Sequence, residues 1–538
     1  MKNKLKRSIC VLLVALLLSG YFPVAVSATG PTNFTYTYNE WTVPIPSPDA
    51  YRVSAYILGQ HLEFNGENIG AWRSPQDLHV WCGYMYSEEG SEYVWRNLLY
   101  VVDSGNNRII VLEFYGENNA EFRVFDYITQ VTMPNGEPSG FNNPHGIFVS
   151  DWAMNRGQIW IADTNNQRVL HVDKNWNVIT EIRHPGNYRR CEDSEDIMFI
   201  FDHGNGPSLI DADSDFLPSK VAVDFSGRIF VQTRHVNRGL MEFDRYGVFA
   251  GYMGAPPIDV SIVDQFWRFI ATQEQRERMM LNVPVEYNNV TIDHEGFLFV
   301  TTSSDDVEPV LRLNAMGDDV MIRNDFFYPI GDLWWGTGAN RSGPSVLIDV
   351  TALSNGTFVV FDRNRGRLFA YDTQGRLLYV WGGPGNREGF FSFPTALDNM
   401  GYTLFALDGG IGDNYAALTR FDLTEYGTLI NYALAMYHRG MYAESYFYWN
   451  EVLRMNGNFG FAYIGLARAL LRQGEYRRAM QYFRLQNDYQ NYGRAFGFYR
   501  RIWMEQYFWI FALVTGILMV VPPVVKKVIK VRREILES

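Results

Sequence analysis

Cysteine is scarce in this chain, and its scarcity excludes two kinds of cross-linked architecture. The 538 residues contain three cysteines, Cys10, Cys82 and Cys191, and Cys10 lies in an apolar N-terminal stretch. A disulfide framework needs several closely spaced cysteines, and a zinc site needs Cys-x-x-Cys or mixed Cys/His spacing, which this sequence lacks. Cys82 and Cys191 can pair in an oxidising compartment, but their isolation in the sequence favours free thiols.

Basic residues are outnumbered, with 47 Lys and Arg against 59 Asp and Glu and a formal net charge of −12. No dense basic stripe occurs within residues 50–424. Nucleic-acid binding depends on neutralising phosphates with Lys and Arg. The charge balance therefore predicts that nucleic acid is not a partner.

Motifs for metal binding and nucleophilic catalysis are also missing. The segment Asp211-Ala-Asp-Ser-Asp215 alternates carboxylates as a calcium loop does, but it lacks that loop's central glycine and final glutamate. We expect this segment, like the acidic segment 191–196, to be a solvated loop. No Ser/His/Asp set stands at a recognisable nucleophile elbow. The sequence therefore predicts no catalytic residue, no resident metal and no cofactor.

What does recur is a unit of strand, tight polar turn and strand. Equivalent turns fall at positions 103, 163, 233, 302, 362 and 408. Alternating apolar residues between Gly, Asn and Asp turns predict antiparallel strands, and small sheets of this kind bury both faces when they stack radially. The predicted fold class is mainly β, a six-bladed β-propeller over residues 50–424. The stretch 51–57 is expected to add a strand to the last blade.

Three of the turns carry an Asp followed five positions later by an Arg: Asp103/Arg108, Asp163/Arg168 and Asp362/Arg367. The pattern is degraded at Thr233/Arg238 and at Thr302. The Asp can accept backbone N–H bonds within the turn, and the Arg can donate to it from the next strand. We expect these pairs to be structural, and the alternative is a polar ring that binds a ligand on one propeller face.

This Asp-x-x-x-x-Arg pattern after an apolar strand resembles the NHL-repeat family of propellers over roughly residues 50 to 424. The resemblance implies the fold and leaves the function open. Some NHL proteins bind RNA, which the charge of this chain disfavours. Other six-bladed propellers are lactonases that hold one metal in the channel through Glu, Asn and Asp at inner strand ends. The corresponding entries here are Asp77, Gly146, Lys220, Asn289, Asp349 and Pro394.

Five residues near those entries are the candidate ligand-binding residues: Asp77, His145, Lys220, Asn289 and Asp349. The positive charge of Lys220 opposes a bound cation, and no fourth metal ligand is evident. Recognition of a protein or a carbohydrate-like ligand without catalysis is therefore the favoured function. A metal-dependent lactonase-like hydrolase and a purely structural cell-envelope spacer are the alternatives.

The N-terminus has the pattern of a signal peptide. Residues 2–7 include four basic residues, residues 9–18 are apolar, and small residues at 26–28 offer a cleavage site. We expect a signal peptide over residues 1–28 and a linker over 29–49. A lipid anchor is not predicted, because Tyr21 stands where a lipoprotein requires cysteine.

The C-terminus has the pattern of a membrane anchor. Residues 506–525 carry no charge and, at about 1.5 Å rise per residue, span the roughly 30 Å hydrocarbon layer of a bilayer. The basic tail 526–538 is predicted to be cytoplasmic by the positive-inside rule, which places the propeller outside. Pro522 and Pro523 predict a kink or an end of the helix near the inner face.

Between propeller and span, residues 425–495 change to a helical period. Gly440 and Gly474 begin two matching tripeptides 34 residues apart, with Ser445 and Ala479 at the small positions, which resembles tetratricopeptide helix pairs. This segment is either a stalk or a docking groove for a peptide or protein. A helix beginning near Tyr492 is expected to cap the pairs and to continue through residues 496–525.

Residues 264–281 show an amphipathic helical pattern that interrupts the repeats. We expect it to cover a propeller face, or to bind a partner if its aromatic side is exposed. The whole arrangement resembles membrane-tethered propeller proteins of Gram-positive bacteria. That resemblance implies a role beside sugar-uptake systems.

Overall fold

The computed structural model describes residues 35–39, 41–87, 92–150, 158–184, 188–189, 200–201, 216–236, 238–254, 286–302, 308–323, 329–333, 343–410 and 416–537. The predicted signal peptide, Cys191, the acidic segments 191–196 and 211–215 and the predicted helix 264–281 lie outside these ranges. Those predictions therefore stay untested.

Six antiparallel sheets form the blades of a propeller, as predicted. Inner strands of consecutive blades contact one another around the ring. The strands, inner to outer, are Asp77–Ser87, Glu92–Asp103, Arg108–Tyr115 and Glu121–Ile128 in blade 1; Pro144–Ser150, Gln158–Asp163, Arg168–Val172 and Val178–Ile182 in blade 2; Pro218–Val223, Ile229–Thr233, Leu240–Phe243 and Phe249–Met253 in blade 3; Tyr287–Ile292, Leu298–Thr302 and Val310–Leu313 in blade 4; Leu347–Ala352, Phe358–Asp362, Arg367–Tyr371 and Leu377–Gly382 in blade 5; and Pro394–Met400, Thr403–Asp408, Ala417–Leu423 and Tyr51–Leu58 in blade 6.

The core lies between the blades, because each sheet is apolar on both faces. Phe114 of blade 1 packs on Phe405 of blade 6 with ring centroids 4.9 Å apart. Phe299 of blade 4 packs on Phe358 of blade 5 at 5.3 Å. The six turn positions predicted from the sequence each end the second strand of a blade. Stacking of neighbouring sheets thus explains why these strands read as almost continuous apolar runs.

The ring is closed by the N-terminal strand Tyr51–Leu58, which pairs antiparallel with Ala417–Leu423 and becomes the outermost strand of blade 6. This confirms the predicted closure. A hairpin of Tyr36–Tyr38 and Pro44–Pro46 adds to the outer edge of blade 5 through Tyr36 and Val380. The stretch predicted as a linker over 29–49 therefore contributes strands to the propeller.

Blade 1 is unusual because its two inner strands contain 11 and 12 residues, against five to seven in the two inner strands of each other blade. Pairing continues without interruption from Asp77 opposite Val102 to Ser87 opposite Glu92. The distal part of this hairpin, residues 83–87 and 92–96, is called here the blade-1 ribbon. It extends beyond the end of the blade.

Five helices follow the propeller: α1 Glu425–His438, α2 Tyr442–Met455, α3 Gly460–Arg472, α4 Tyr476–Leu485 and α5 Tyr489–Glu537. Helices α1/α2 and α3/α4 form two hairpins whose turns contain Gly440 and Gly474 with φ of 79° and 85°. Ser445 and Ala479 are fully buried at matching positions of α2 and α4, as a close helix–helix approach requires. Helix α1 joins the propeller by packing Ile430 and Tyr426 into the core of blades 5 and 6.

Helix α5 begins against the helical hairpins, where Ala495 is buried with Ala467 and Phe483. It is long and apolar enough to cross a membrane, and its apolar window is not buried at all in the protein. The helix continues through Pro522 and Pro523 to Glu537. An end of the helix at these prolines, one of the two predicted outcomes, is therefore wrong.

Candidate functional site

The candidate ligand-binding residues lie on inner strands at equivalent positions around the ring. Four of them oppose the residue that precedes the turn position: Asp77 opposite Val102, Lys220 opposite Gln232, Asn289 opposite Thr301 and Asp349 opposite Phe361. In blade 6 this position is Ala396, which opposes Leu407, whereas Pro394 opposes Asp408. The predicted entry Pro394 therefore lies two residues before the equivalent position. A β-bulge directly precedes this position in blades 2 to 6 alike.

Lys220 and Asp77 form a buried ion pair that joins blades 1 and 3. Lys220 Nζ donates to Asp77 Oδ1 and lies 3.4 Å from the carbonyl oxygen of Gln76. The other oxygen of Asp77 accepts the backbone N–H of Ile147 in blade 2 at 2.8 Å. Both oxygens of Asp77 are thus engaged by protein donors.

Asp349 is held in the same way on the other side of the ring. Its Oδ1 accepts from the Asn289 amide nitrogen and, at 2.7 Å, from the backbone N–H of Val350. Its Oδ2 accepts the backbone N–H of Leu397 in blade 6 at 2.7 Å. The carboxylate therefore links three consecutive blades.

Burial sets the protonation behaviour of these carboxyls. Burial raises the pKa of Asp349 to about 7, with the positive charge of Lys220 opposing this rise and Asp77 adding to it. Burial also raises the pKa of Asp77 against the lowering effect of Lys220. Desolvation disfavours the ionised form of a carboxyl, which explains both directions.

His145 is a buried, neutral imidazole next to a guanidinium. Burial first, then the charges of Arg234 and Lys220, lower the pKa of His145 to about 3. Arg234 Nη2 lies 3.0 Å from His145 Nδ1. The structure thus brings His145 toward Lys220, the same side of the channel as Asp77.

This arrangement does not fit a metal. Among the described residues, no group of three or more His, Cys, Asp or Glu side chains could hold a metal ion. Asp77 is bonded to an ammonium group, Asp349 is bonded to an amide N–H, and His145 faces an arginine. Asp77, Asp349 and His145 therefore each already face a donor or a cation, which opposes a divalent ion at the same point.

The turn pairs of blades 1 and 2 are alike. Arg108 Nε donates to Asp103 Oδ2 at 2.6 Å, and Arg168 Nε donates to Asp163 Oδ2 at 2.8 Å. All four side chains are buried. In blade 1 the remaining oxygen of Asp103 accepts the backbone N–H of Arg73 at 2.7 Å. These contacts tie each turn to the loop that precedes the blade.

In blade 5 the same two positions take other partners. Asp362 accepts from Ser345 Oγ at 2.7 Å and lies 3.4 Å from Arg365 Nη1. Arg367 donates from Nη1 to Asp332 at 2.5 Å and to the Tyr36 hydroxyl at 2.7 Å. The expected Asp362–Arg367 pair is therefore replaced. The N-terminal hairpin brings Tyr36 to the edge of this blade, where its hydroxyl and Asp332 take up the Arg367 guanidinium.

Sequence reasoning missed two groups that line or flank the propeller. Asp398 accepts the backbone N–H of Val80 at 2.7 Å and lies 3.4 Å from His79, so it links blades 6 and 1. The second group is the aromatic set of the blade-1 ribbon. The sequence carries a signal for this set, because aromatic residues alternate with other residues at 84–86 and at 93–95.

The blade-1 ribbon exposes three aromatic side chains to solvent. Tyr84, Tyr93 and Trp95 are 55%, 58% and 53% exposed. Tyr84 and Trp95 face each other across the strands with ring centroids 5.1 Å apart in an edge-to-face arrangement. Large aromatics that remain exposed in a group on a projecting element are typical of binding surfaces.

No protein-family model matches the chain, and no curated protein matches it. Many solved structures are similar to it, and three of them are named here. The virginiamycin B lyase from Staphylococcus aureus has 8% sequence identity, covers 70% of this chain and 100% of its own, and has a TM-score of 0.35. A streptogramin B lyase has 10% identity, covers 69% of this chain and 98% of its own, and has a TM-score of 0.36. A Bacteroides thetaiotaomicron protein of unknown function has 9% identity, covers 68% of this chain and 76% of its own, and has a TM-score of 0.36. The six-bladed architecture itself rests on the strand pairing of this chain.

Proposed function

We propose that this chain is a membrane-anchored recognition protein whose propeller binds a protein or carbohydrate-like ligand outside the cytoplasm without catalysis. The observation that carries the proposal is a contrast between two surfaces. The polar groups of the channel bind one another, whereas the blade-1 ribbon presents Tyr84, Tyr93 and Trp95 to solvent. Of the two, the ribbon is the surface that still has binding capacity.

Aromatic side chains suit both ligand classes. Tyrosine and tryptophan contribute large contact areas at a low cost in side-chain entropy and each retains a hydrogen-bonding group. Leaving them in water costs hydrophobic free energy, about 25 cal/mol per Å² of apolar surface, which burial against a ligand would recover. The regular pairing of the ribbon holds the rings in place before binding.

The experiment is a binding comparison between matched variants of the full chain. We expect Trp95→Ala and Tyr84→Ala to abolish retention on a glycan array or a photo-crosslink to a cell-envelope protein. Tyr246→Ala is the control, because Tyr246 is also an exposed aromatic, at 47% exposure, but lies in the outer turn of blade 3. Equal loss in Tyr246→Ala, or full binding by Trp95→Ala, would remove the ribbon from the proposal.

The setting of this function is the outer face of a membrane. The proposal combines the signal-peptide pattern, the span 506–525 and the basic tail, which together leave the propeller outside the cytoplasm. The NHL-like turns and the two tetratricopeptide-like hairpins support kinship with membrane-tethered propellers of Gram-positive bacteria. On that basis we place the protein beside a sugar-uptake system.

A further inference from the structure

A cleft of about 550 Å³ lies at the junction of the propeller and the helices, between the blade-5 hairpin 372–376 and helices α3, α4 and α5. Four arginines line it: Arg376 from blade 5, Arg468 and Arg472 from α3, and Arg494 from α5. Its lining contains no Asp or Glu. The cleft is therefore a concentrated positive site on a chain with a net charge of −12.

The arginines differ in how firmly they are held. Arg468 Nη2 donates to Gln374 at 2.7 Å, and its Nη1 lies 3.9 Å from Asp372. Arg376 is buried, whereas Arg472 and Arg494 are exposed. Arg472 interacts with the hydroxyl of Tyr437, which also lines the cleft. The cleft thus has two fixed guanidinium groups, a third that shares a hydrogen bond with Tyr437, and an exposed fourth at Arg494. Guanidinium forks match carboxylate and phosphate oxygens in a bidentate way.

The rest of the lining suits a sugar-sized molecule. Tyr476 of α4 and Phe498 of α5 stack with centroids 5.6 Å apart and planes at 20°. Gln490, at the start of α5, adds an exposed amide group, whereas the Asn491 amide donates to Asp488 Oδ2 at 2.7 Å. The volume lies within the range of about 300–1,000 Å³ that is typical of small-molecule sites. Amides can hydrogen-bond hydroxyl groups while an aromatic wall covers apolar carbon.

We propose that this cleft binds an anionic sugar, that is, a saccharide that carries a phosphate or a carboxylate. The site is separate from the blade-1 ribbon and does not depend on the function proposed for it. A membrane lipid headgroup fits less well. Arg494 precedes Gln506 by twelve helical residues, about 18 Å along α5 at 1.5 Å per residue. The headgroup layer is only about 5–8 Å deep on each side of the hydrocarbon core.

The test uses the full chain in detergent micelles at low salt, with calorimetric titration of glucose 6-phosphate, glucuronate and glucose. We expect at least one of the two anions to bind and glucose to give no heat. Arg472→Gln and Arg494→Gln should each weaken binding about tenfold or more, because each removes a charge-assisted hydrogen bond. Arg477→Gln is the control, since Arg477 is an exposed arginine on α4 that does not line the cleft.

The outcomes separate the possible sources of the anion. Binding that is lost in Arg472→Gln and Arg494→Gln but kept in Arg477→Gln supports the cleft. No heat with either anion overturns the proposal, and so does an equal loss in all three variants, which would show general charge attraction. The proposal is also overturned if neither sugar binds and the cleft arginines instead respond only to phosphatidylglycerol in nanodiscs. Loss of ribbon-dependent binding has no bearing on any of these results.

Discussion

The buried Asp and Arg residues at the blade turns stabilise the propeller, and the sequence pattern only partly predicts which partners they bind. Asp103 and Arg108 are both buried and meet at 2.6 Å. The spacing of five residues allows this contact, because it places both side chains at the start and end of one turn. The same spacing at Asp362 and Arg367 gives different partners, since residues far away in sequence, Asp332 and Tyr36, lie closer to the arginine.

We predict that Arg108→Ala lowers the stability of the propeller by about 1.5–3 kcal/mol, because it leaves the buried carboxylate of Asp103 without its charged donor. The measurement is the free energy or midpoint of unfolding of the full chain. Arg123→Ala is the control, because Arg123 also pairs with a carboxylate, Glu113, but is 59% exposed. The control should change stability by less than about 1 kcal/mol. Unchanged stability together with lost ligand binding would instead show that the Asp and Arg residues of the turns bind a ligand.

A second prediction concerns pH and Asp349. Its folded pKa of about 7 lies above the unfolded value near 3.9. The folded state therefore holds this proton more tightly, and its stabilising contribution is complete below about pH 4 and is lost as pH rises through about 7. In Asp349→Asn this dependence disappears, so the stability of wild type relative to the variant should fall between about pH 4 and pH 7 and stay constant above.

The measurement for Asp349 is a series of melting temperatures across that pH range. Asp318→Asn serves as the comparison, because Asp318 is an exposed turn residue of blade 4. Its curve should run parallel to that of wild type. A constant difference between wild type and Asp349→Asn at every pH would contradict the prediction.

At the scale of elements, the sequence predicted the blades and missed the equivalent inner-strand position in one of them. The alternation of apolar residues fixes which segments are strands, and the turn positions fix where second strands end. In blade 6 the predicted entry Pro394 lies two residues before the equivalent position, Ala396, where an apolar residue replaces the polar side chains found at Asp77, Lys220, Asn289 and Asp349. The hairpin at Tyr36–Tyr38 was missed because three-residue strands are too short for a periodic signal.

The closing strand gives an element-scale prediction. Ile57 is 3% exposed and lies in the core between blades 6 and 1. Truncating a buried isoleucine to alanine typically costs about 2–5 kcal/mol through lost burial and a cavity. We expect Ile57→Ala to destabilise the whole propeller by that amount. A protease should therefore cleave the variant faster than wild type under conditions in which wild type is folded. Arg52→Ala, an exposed position on the same strand, should have little effect; equal effects would argue against closure by Tyr51–Leu58.

At the scale of the whole molecule, the candidate site was harder to predict than the fold. The five candidate ligand-binding residues lie on inner strands, and whether they bind a ligand stays a prediction. The sequence could not show that Lys220 and Asn289 would engage Asp77 and Asp349. Such contacts cross the ring between segments more than fifty residues apart, and no local pattern encodes them. The arginine cleft has the same origin, because it forms where blade 5, α3 and α5 come together.

The last prediction is the orientation of the chain in the membrane. The apolar window of α5 is not buried in the protein, and exposed side chains such as Phe508, Leu518 and Val525 require a hydrocarbon environment. Five basic residues follow the span, Lys526, Lys527, Lys530, Arg532 and Arg533. The positive-inside rule places this tail in the cytoplasm, so protease added to intact cells should remove the propeller and leave a small membrane-held fragment. A tag on residue 538 should stay protected until the cells are permeabilised, and a propeller that remains intact on whole cells would reverse the orientation.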